Sequence, residues 1–332
     1  MIVKKHTPTP FFLMLENLLR RLPRTHPTYS DLTDRLGREQ AGYHGEQRLD
    51  YSLSKLDFKH FTLHDIRLPY HHTYFQIDTL LVTPRFLLAI EVKSYRGHVL
   101  FRNDFSRTVQ QPQPGMTEKI YDDPIVQVEE QKFQLTTWLE HHRIPPLPIE
   151  TLVVMTHPHV ILQATDQNEY FRDRVIPLSK LSSKLRQINQ KYNQEFINHV
   201  ESRNLAKKIA KAHKPYIPNI LARWKIDVNE VLSGVCCPRC STLPMERVNR
   251  RWQCSRCGHR SIDAHVSALR DYFLLGNKTI TNREFRAFAR LESESSAKYM
   301  LRKLEYEGEK KQRRYVLTYD FSRDFEYVRR KK

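Results

Sequence analysis

Gln76-Ile77-Asp78-Thr79-Leu80-Leu81-Val82-Thr83-Pro84-Arg85-Phe86-Leu87-Leu88-Ala89-Ile90-Glu91-Val92-Lys93 decides the fold. Two apolar, β-branched-rich runs flank a short Thr-Pro-Arg break, which predicts two adjacent strands of one sheet. Phe86 to Val92 is nearly all apolar, as in a strand covered on both faces. Charge in such a strand is costly unless it is paired or holds a metal. Yet the second run carries Glu91 and Lys93, and Asp78 stands near the start of the first. Side chains alternate along a strand, so Glu91 and Lys93 share one side and can converge with Asp78. Two hard carboxylate ligands suit Mg²⁺ or Mn²⁺, and an ammonium beside them can orient water or offset developing negative charge. An ion pair at a sheet end is the plainer reading of Glu-x-Lys alone. Asp78 upstream and the apolar surroundings favour the catalytic one.

These residues resemble the nuclease-related domain (NERD) family, a branch of the PD-(D/E)xK nuclease superfamily. The likeness spans about residues 42 to 157. It rests on Gly45-Glu46, Gln76-Ile77-Asp78, Ile90-Glu91-Val92-Lys93 with Tyr95 and Gly97, and Asp123-Pro124-Ile125-Val126-Gln127, in the family's order. It implies a restriction-endonuclease-like αβββαβ core with a mixed sheet, and metal-dependent nuclease chemistry. Asp123 departs from the family's usual Asn; both residues cap helices. The tryptophan often found after the Gly-containing turn is absent, with Phe101 and Phe105 nearby.

The chain has 332 residues, room for two or three domains. Its 55 Lys and Arg against 37 Asp and Glu give a formal charge of +18, so polyanions are its natural partners. No apolar run approaches the about 18 residues that span a bilayer. Phe11 to Leu19 is interrupted by Glu16 and Asn17 and reads as an amphipathic helix, not a signal peptide. Five cysteines, four of them in two Cys-x-x-Cys pairs, argue for metal ligation in a reducing cytoplasm over disulfides.

Taken in order, residues 1–40 form a basic lead-in with one helix, about Phe11 to Arg21. Its Leu13, Leu18, Leu19 and Leu22 are expected to cover the next domain. The nuclease domain is placed at 41–177. A helix is expected from Gly45, with Glu46, Leu49, Leu53 and Leu56 on one stripe. Glu46 either sits in an exposed first turn, favoured by the helix dipole, or points at the metal. The resemblance implies a metal ligand or water-orienting base. A strand at about Phe58 to Leu68 and a His-rich turn at Tyr70-His71-His72 lead into the two central strands. Residues 94–122 read as a polar excursion, with a short strand near Val99 and the Gln- and Pro-rich run Gln110 to Gly115. That excursion is either a substrate lid or DNA clamp, or a tolerated insertion. Asp122-Asp123-Pro124 marks a helix start, with Ile125, Val128, Leu135 and Leu139 as its apolar stripe. Gln127 and Gln131 lie one turn apart on a neighbouring face and are solvated on the plain reading. The resemblance implies that Gln127 reaches Lys93 or the phosphate. Thr151 to Thr156 supplies the last core strand.

Residues 178–232 read as a basic helical connector, with Lys207, Lys208, Lys211 and Lys214 on a solvated face. Cys237-Pro238-Arg239-Cys240 and Cys254-Ser255-Arg256-Cys257, separated by 13 residues, match a zinc ribbon at 233–261. In that register Cys236 is spare, and His259 is a weaker substitute ligand. Residues 262–332 predict a small winged helix-turn-helix. Its helices run from Val266 to Leu275, from a Thr281 cap to Ala289, and from Ala297 to Leu304 after Ser295-Ser296. A hairpin then turns at Glu307-Gly308-Glu309. Lys298, Arg302 and Lys303 would face a DNA groove, with Lys310, Lys311, Arg313 and Arg314 on phosphates.

The reading is a cytoplasmic Mg²⁺- or Mn²⁺-dependent nuclease acting on double-stranded DNA, with a structural Zn²⁺ and Asp78, Glu91, Lys93, Glu46 and Gln127 at its site. Bacterial defence against foreign DNA and DNA processing or repair are the settings it admits, with a protein partner or homo-oligomer left open. A non-catalytic nucleic-acid-binding adaptor and an RNA-cleaving enzyme are the rivals.

Overall fold

The computed structural model describes residues 1–102, 107–111, 117–164, 169–309 and 312–329. The chain divides into two compact units, Met1–His6 with Gln40–Pro215 and Thr7–Glu39 with Tyr216–Lys332.

The strands of the first unit are β1 (Ile2–Lys4), β2 (Phe61–Tyr70), β3 (Thr73–Val82), β4 (Leu87–Lys93) and β5 (Gly97–Arg102). They continue with β6 (Arg107–Gln111), β7 (Lys119–Asp122), β8 (Ile149–Met155), β9 (Val160–Ala164) and β10 (Val175–Pro177). A six-stranded mixed sheet has the order β1-β2-β3-β4-β8-β10. Strands β2, β3 and β4 run antiparallel; β8 lies parallel to β4, and β1 parallel to β2. The two runs quoted above are therefore neighbours, and β4 lies inside the sheet.

Helices cover β4 on both faces. Helix Pro124–His141 packs Ile125, Val128, Leu135 and Trp138 into one cluster with Leu87 and Ala89. Leu49, Leu53, Leu181, Leu185 and Ile188 pack with Leu88 and Ile90 in another. Each such Leu or Ile contributes about 1.5–3 kcal/mol when fully buried, which lets this strand tolerate a charged end. Asp123 caps the helix by accepting a hydrogen bond from Ile125 N at 2.8 Å, with Pro124 at its first position.

Four expectations change. No helix begins at Gly45: a helix runs Tyr29–Gln47, and a separate short one runs Leu49–Leu53. Residues 94–122 are not a plain excursion, since β5, β6 and β7 join β9 in a four-stranded sheet of order β7-β6-β5-β9. The Gln- and Pro-rich run lies partly in β6, with 112–116 outside the described residues, as is Phe105. The stretch 178–215 is no bare connector. Helix Leu181–Lys191 and helix His199–Ala212 bury apolar faces in the first unit, while Lys207, Lys208, Lys211 and Lys214 stay exposed.

His213 makes the first unit sensitive to acid. Its Nδ1 accepts a hydrogen bond from Arg67 N at 3.0 Å, which only an unprotonated Nδ1 can do. Burial, with Lys4 and Arg67 adding repulsion, lowers its pKa from 6.5 to about 4. The folded state therefore binds this proton less readily than the unfolded chain. The stability it contributes is complete above pH 6.5 and is lost as pH falls toward about 4. Discounted for partial exposure, the effect is about 1–2 kcal/mol. His213→Asn, whose carbonyl can replace Nδ1, should unfold with a shallower acid dependence than the wild type. Superimposable profiles by denaturant titration would contradict this.

In the second unit, helix Pro10–Arg21 starts on Thr9, whose hydroxyl accepts from Phe12 N at 3.1 Å. Its Leu13 and Leu18, and Leu22 after it, with Leu19 at the edge, find their partners in the second unit instead of covering the next domain as expected. They pack with Ile220, Ile226, Leu274, Leu275 and Phe325. Asp271, wholly buried, fastens this helix. It takes Arg21 Nε at 2.9 Å and Tyr327 OH at 2.7 Å, and it also pairs with Arg20. Asp271→Asn keeps the shape but leaves the Arg21 guanidinium, 1% exposed, without its counter-charge. Breaking such a buried pair costs about 3–5 kcal/mol. Denaturant unfolding should show that loss, and a change under about 1 kcal/mol, the value of a surface pair, would refute the role.

The remaining strands are β11 (Glu246–Val248), β12 (Arg251–Gln253), β13 (Arg260–Ser261), β14 (Thr279–Ile280), β15 (Tyr306–Glu307) and β16 (Arg314–Val316). They form sheets of order β11-β12-β13 and β14-β16-β15. Helices occupy His265–Leu274, Asn282–Ala289 and Glu294–Leu301. Thr281 caps the second in a capping box; the third is capped by Ser293, earlier than the Ser295-Ser296 start expected. Among the described residues, no helix is long and apolar enough to cross a membrane.

Candidate active site and metal centre

Strand β4 carries the site to its C-terminal end. Glu91 is 2% exposed and Lys93 half-buried, and both reach helix Pro124–His141 on one side of the sheet. Lys93 Nζ donates to Glu91 Oε1 at 2.6 Å and to Gln127 Oε1 at 3.0 Å. The other Glu91 oxygen accepts from Gln131 Nε2 at 2.8 Å. On the neighbouring strand, Asp78 Oδ2 accepts from Val92 N at 2.8 Å. Every one of these contacts fixes an oxygen or ammonium in place before any substrate arrives.

Burial, reinforced by the Glu91 carboxylate, pushes the Asp78 pKa well above the usual carboxylate range. Burial alone would lower Lys93, but Glu91 outweighs it and, with Asp78, raises the ammonium's pKa. Two carboxylates thus repel one another with the Lys93 ammonium as their nearby counter-charge. A divalent cation would relieve that repulsion, so the donor set fits Mg²⁺ or Mn²⁺ held by Asp78 and Glu91.

Glu46 enters differently. It lies in the last turn of helix Tyr29–Gln47, not in a first turn, and its Oε2 is 3.8 Å from His6 Nδ1. The adjacent Gly45 brings that turn close to the strand ends. A Cβ there would lie 3.0 Å from Thr156 Oγ1 and 3.1 Å from Ser94 Cβ, so a larger residue would crowd the backbone beside Lys93. Gln131 is the residue the sequence reading passed over as solvated. Its i,i+4 spacing from Gln127 was the available signal.

In the second unit Cys237, Cys240, Cys254 and Cys257 come together. Cys237 and Cys257 sulfurs are 3.7 Å apart, and those of Cys240 and Cys254 3.5 Å. Cys236 stands aside, its thiol on Ser241 O at 3.3 Å. His259 supplies its backbone carbonyl to Cys254 N at 2.9 Å. Four sulfurs this close could hold a metal ion.

The expected nucleic-acid contacts are unevenly available. Lys298, Arg302 and Lys303 are exposed, with the Arg302 guanidinium 3.9 Å from the Tyr299 ring centre. Arg313 lies 3.9 Å from the Tyr306 ring centre. Arg314 is exposed and engaged in surface contacts, on Thr279 Oγ1 at 3.1 Å and near Glu284 at 3.5 Å. Lys310 and Lys311 lie outside the described residues.

Comparison with known proteins bears on the first unit. No curated protein and no solved structure matches the chain. Residues 41–156, which contain Glu46, Asp78, Glu91, Lys93, Gln127 and Gln131, match the family model described as the nuclease-related domain. The chain thus carries a nuclease-related domain, matched up to the first residue after β8.

Proposed function

We propose that the protein is a metal-dependent nuclease that hydrolyses phosphodiester bonds of DNA. The observation that carries this reading is Lys93 Nζ, held at 2.6 Å from the buried Glu91 and 3.0 Å from Gln127, with the half-buried Asp78 on the next strand. Asp78 and Glu91 would hold Mg²⁺ or Mn²⁺, with Glu46 lending a further carboxylate from the turn next to Gly45. The bound ion would polarise the phosphoryl oxygen and acidify a water. Gln127 and Glu91 fix the Lys93 ammonium, which orients the attacking water and offsets the charge growing on the phosphoryl oxygens. Gln131 keeps Glu91 from swinging away. The attacking water gives up a proton to solvent as its oxygen bonds to phosphorus, the bridging P–O bond breaks, and the departing oxygen leaves with a proton from solvent.

The formal charge of +18 supports a polyanionic substrate. Lys298, Arg302, Lys303 and Arg313 are the basic groups best placed to touch phosphates. The zinc ribbon at Cys237, Cys240, Cys254 and Cys257, and the winged-helix-like module that the helices and sheet after it would form, would engage DNA or a partner. Cleavage of plasmid and linear duplex with Mg²⁺ or Mn²⁺, wild type beside Asp78→Ala, tests the proposal. Cutting that needs the ion and vanishes in the variant is expected. If neither protein cuts DNA or RNA but both bind with affinity falling steeply with salt, the chain is an adaptor. Cutting confined to RNA would move the substrate and leave the site.

A further inference from the structure

A second cluster of ligand atoms lies in the first unit, on residues other than Asp78, Glu91 and Lys93. His6 follows β1, Asp50 lies in helix Leu49–Leu53, and His64 lies in β2. Their ligand atoms all fall within 4.8 Å of one another. His6 Nε2 is 3.3 Å and His64 Nε2 3.4 Å from Asp50 Oδ1. The two imidazoles stack with ring centres 3.6 Å apart. The His64 side chain is fully buried and that of His6 is 3% exposed. None of His6 Nε2, Asp50 Oδ1 and His64 Nε2 makes a hydrogen bond, although all three are buried. Three buried polar atoms this close together and without a hydrogen bond cost several kcal/mol in aggregate, at about 1–3 kcal/mol each. Such a cluster calls for a shared partner.

We propose that His6, Asp50 and His64 form a second transition-metal site, for which Zn²⁺ is the best-fitting ion. Ligands about 2.0–2.1 Å from Zn²⁺ at tetrahedral angles stand about 3.3–3.4 Å apart, as both His–Asp separations do. The right angles of an octahedral ion at those bond lengths would bring them to about 2.9–3.0 Å. The outer contacts are those a metal-bound imidazole has. His64 Nδ1 is 3.0 Å from Thr79 Oγ1, which fixes the ring, and Glu46 Oε2 lies 3.8 Å from His6 Nδ1. Burial keeps both rings unprotonated, lowering His6 to about 4 and His64 to about 3.

One cation opposes binding. Lys4 lies close enough to depress both histidines, but its Nζ is turned onto His64 O at 2.8 Å and Asp65 O at 2.9 Å, with the Asp65 carboxylate at 3.5 Å. Asp50 and His64 also line a cavity of about 650 Å³, through which water can reach the fourth position. The ion would clip the segment after β1 to β2 and to the helix carrying Asp50. Neither the Asp78–Glu91 centre nor nuclease activity is needed for this inference.

The test is Zn²⁺ and Co²⁺ titration of the tag-free full chain, with excess Mg²⁺ present to occupy the Asp78–Glu91 carboxylates. Two tight equivalents per chain are expected, one for four thiolates and one for this site. With Co²⁺, the thiolate equivalent brings intense near-ultraviolet charge transfer, and the other adds only weak visible bands. His6→Asn and Asp50→Asn should each weaken the second equivalent more than about 100-fold while the thiolate band stays intact. His6 lies outside any strand or helix, so its variant is the one least exposed to misfolding. Saturation at one equivalent in the wild type would overturn the proposal. So would a second equivalent of unchanged affinity in both variants.

Discussion

Lys93→Ala is expected to lower the rate of metal-dependent DNA cleavage by at least about 10²–10³-fold, the usual loss when a preorganised group facing transition-state charge is removed. Binding of duplex DNA should change by less than about 1 kcal/mol, the scale of one exposed charge contact. The argument lies in how Lys93 is held. Its ammonium has two fixed acceptors, Glu91 Oε1 and Gln127 Oε1, and its stem lies at the end of a strand with the Ile90 side chain fully buried. Truncation removes the charge without opening the core. Glu91 keeps its bond to Gln131, so the carboxylate remains placed for the cation. Single-turnover cleavage measured beside equilibrium binding separates the two effects. Equal loss of both would make Lys93 a binding residue, and undiminished cleavage would remove it from the chemistry. Gln131→Leu should be milder, because Glu91 would still be tied to Lys93. Lys93→Arg should not rescue fully, since a planar guanidinium cannot place one compact charge between Glu91 and Gln127.

Asp78, Glu91 and Lys93 were legible in the sequence because strand alternation and the cost of buried charge are local rules. The strand pair on which they stand needed only two apolar runs and the Thr83-Pro84-Arg85 break. The cap at Asp123 was legible for the same reason. Gln131 was not, since the rotation of helix Pro124–His141 against the sheet is set by packing of Ile125, Val128 and Leu135, not by the glutamine itself. Helix Tyr29–Gln47 was hidden by Gly37, Gly42 and Gly45 and by a mostly exposed surface with Leu32 as its fully buried anchor. Strands β6 and β7 were hidden by polar composition: Thr108 and Gln110 are buried in a sheet whose pattern looks like a loop. β1 is three residues long and gains its structure from β2, some sixty positions away. With β1 came His6, whose neighbours His64 and Asp50 no spacing rule would have joined to it.

Removing metal from the four-cysteine site should unfold the ribbon outright. Tetrahedral Zn–S bonds of about 2.3 Å set sulfurs about 3.7–3.8 Å apart, close to the 3.7 and 3.5 Å seen for Cys237–Cys257 and Cys240–Cys254. Backbone turns hold the pairs: Ser241 N donates to Cys237 O at 2.8 Å, and Gly258 N to Cys254 O at 3.0 Å. Without an ion the thiols are unequal. The Thr242 hydroxyl and backbone lower Cys240 to about 6, while burial raises Cys237 to about 12. A cation at their centre would favour the thiolate form of each. The sheet β11-β12-β13 has strands of two or three residues, and its large buried side chain is Trp252. Structural zinc supplies about 10–16 kcal/mol in small finger peptides, as much as the entire stability of an ordinary domain. Cys254→Ser should therefore lose the thiolate equivalent of zinc and expose Trp252, read as a red-shifted tryptophan emission and as rapid proteolysis between 233 and 261. A chelator should reproduce the shift in the wild type, and added Zn²⁺ should reverse it. Wild-type protein whose ribbon resists proteolysis after complete removal of zinc would show that the metal is not what folds it.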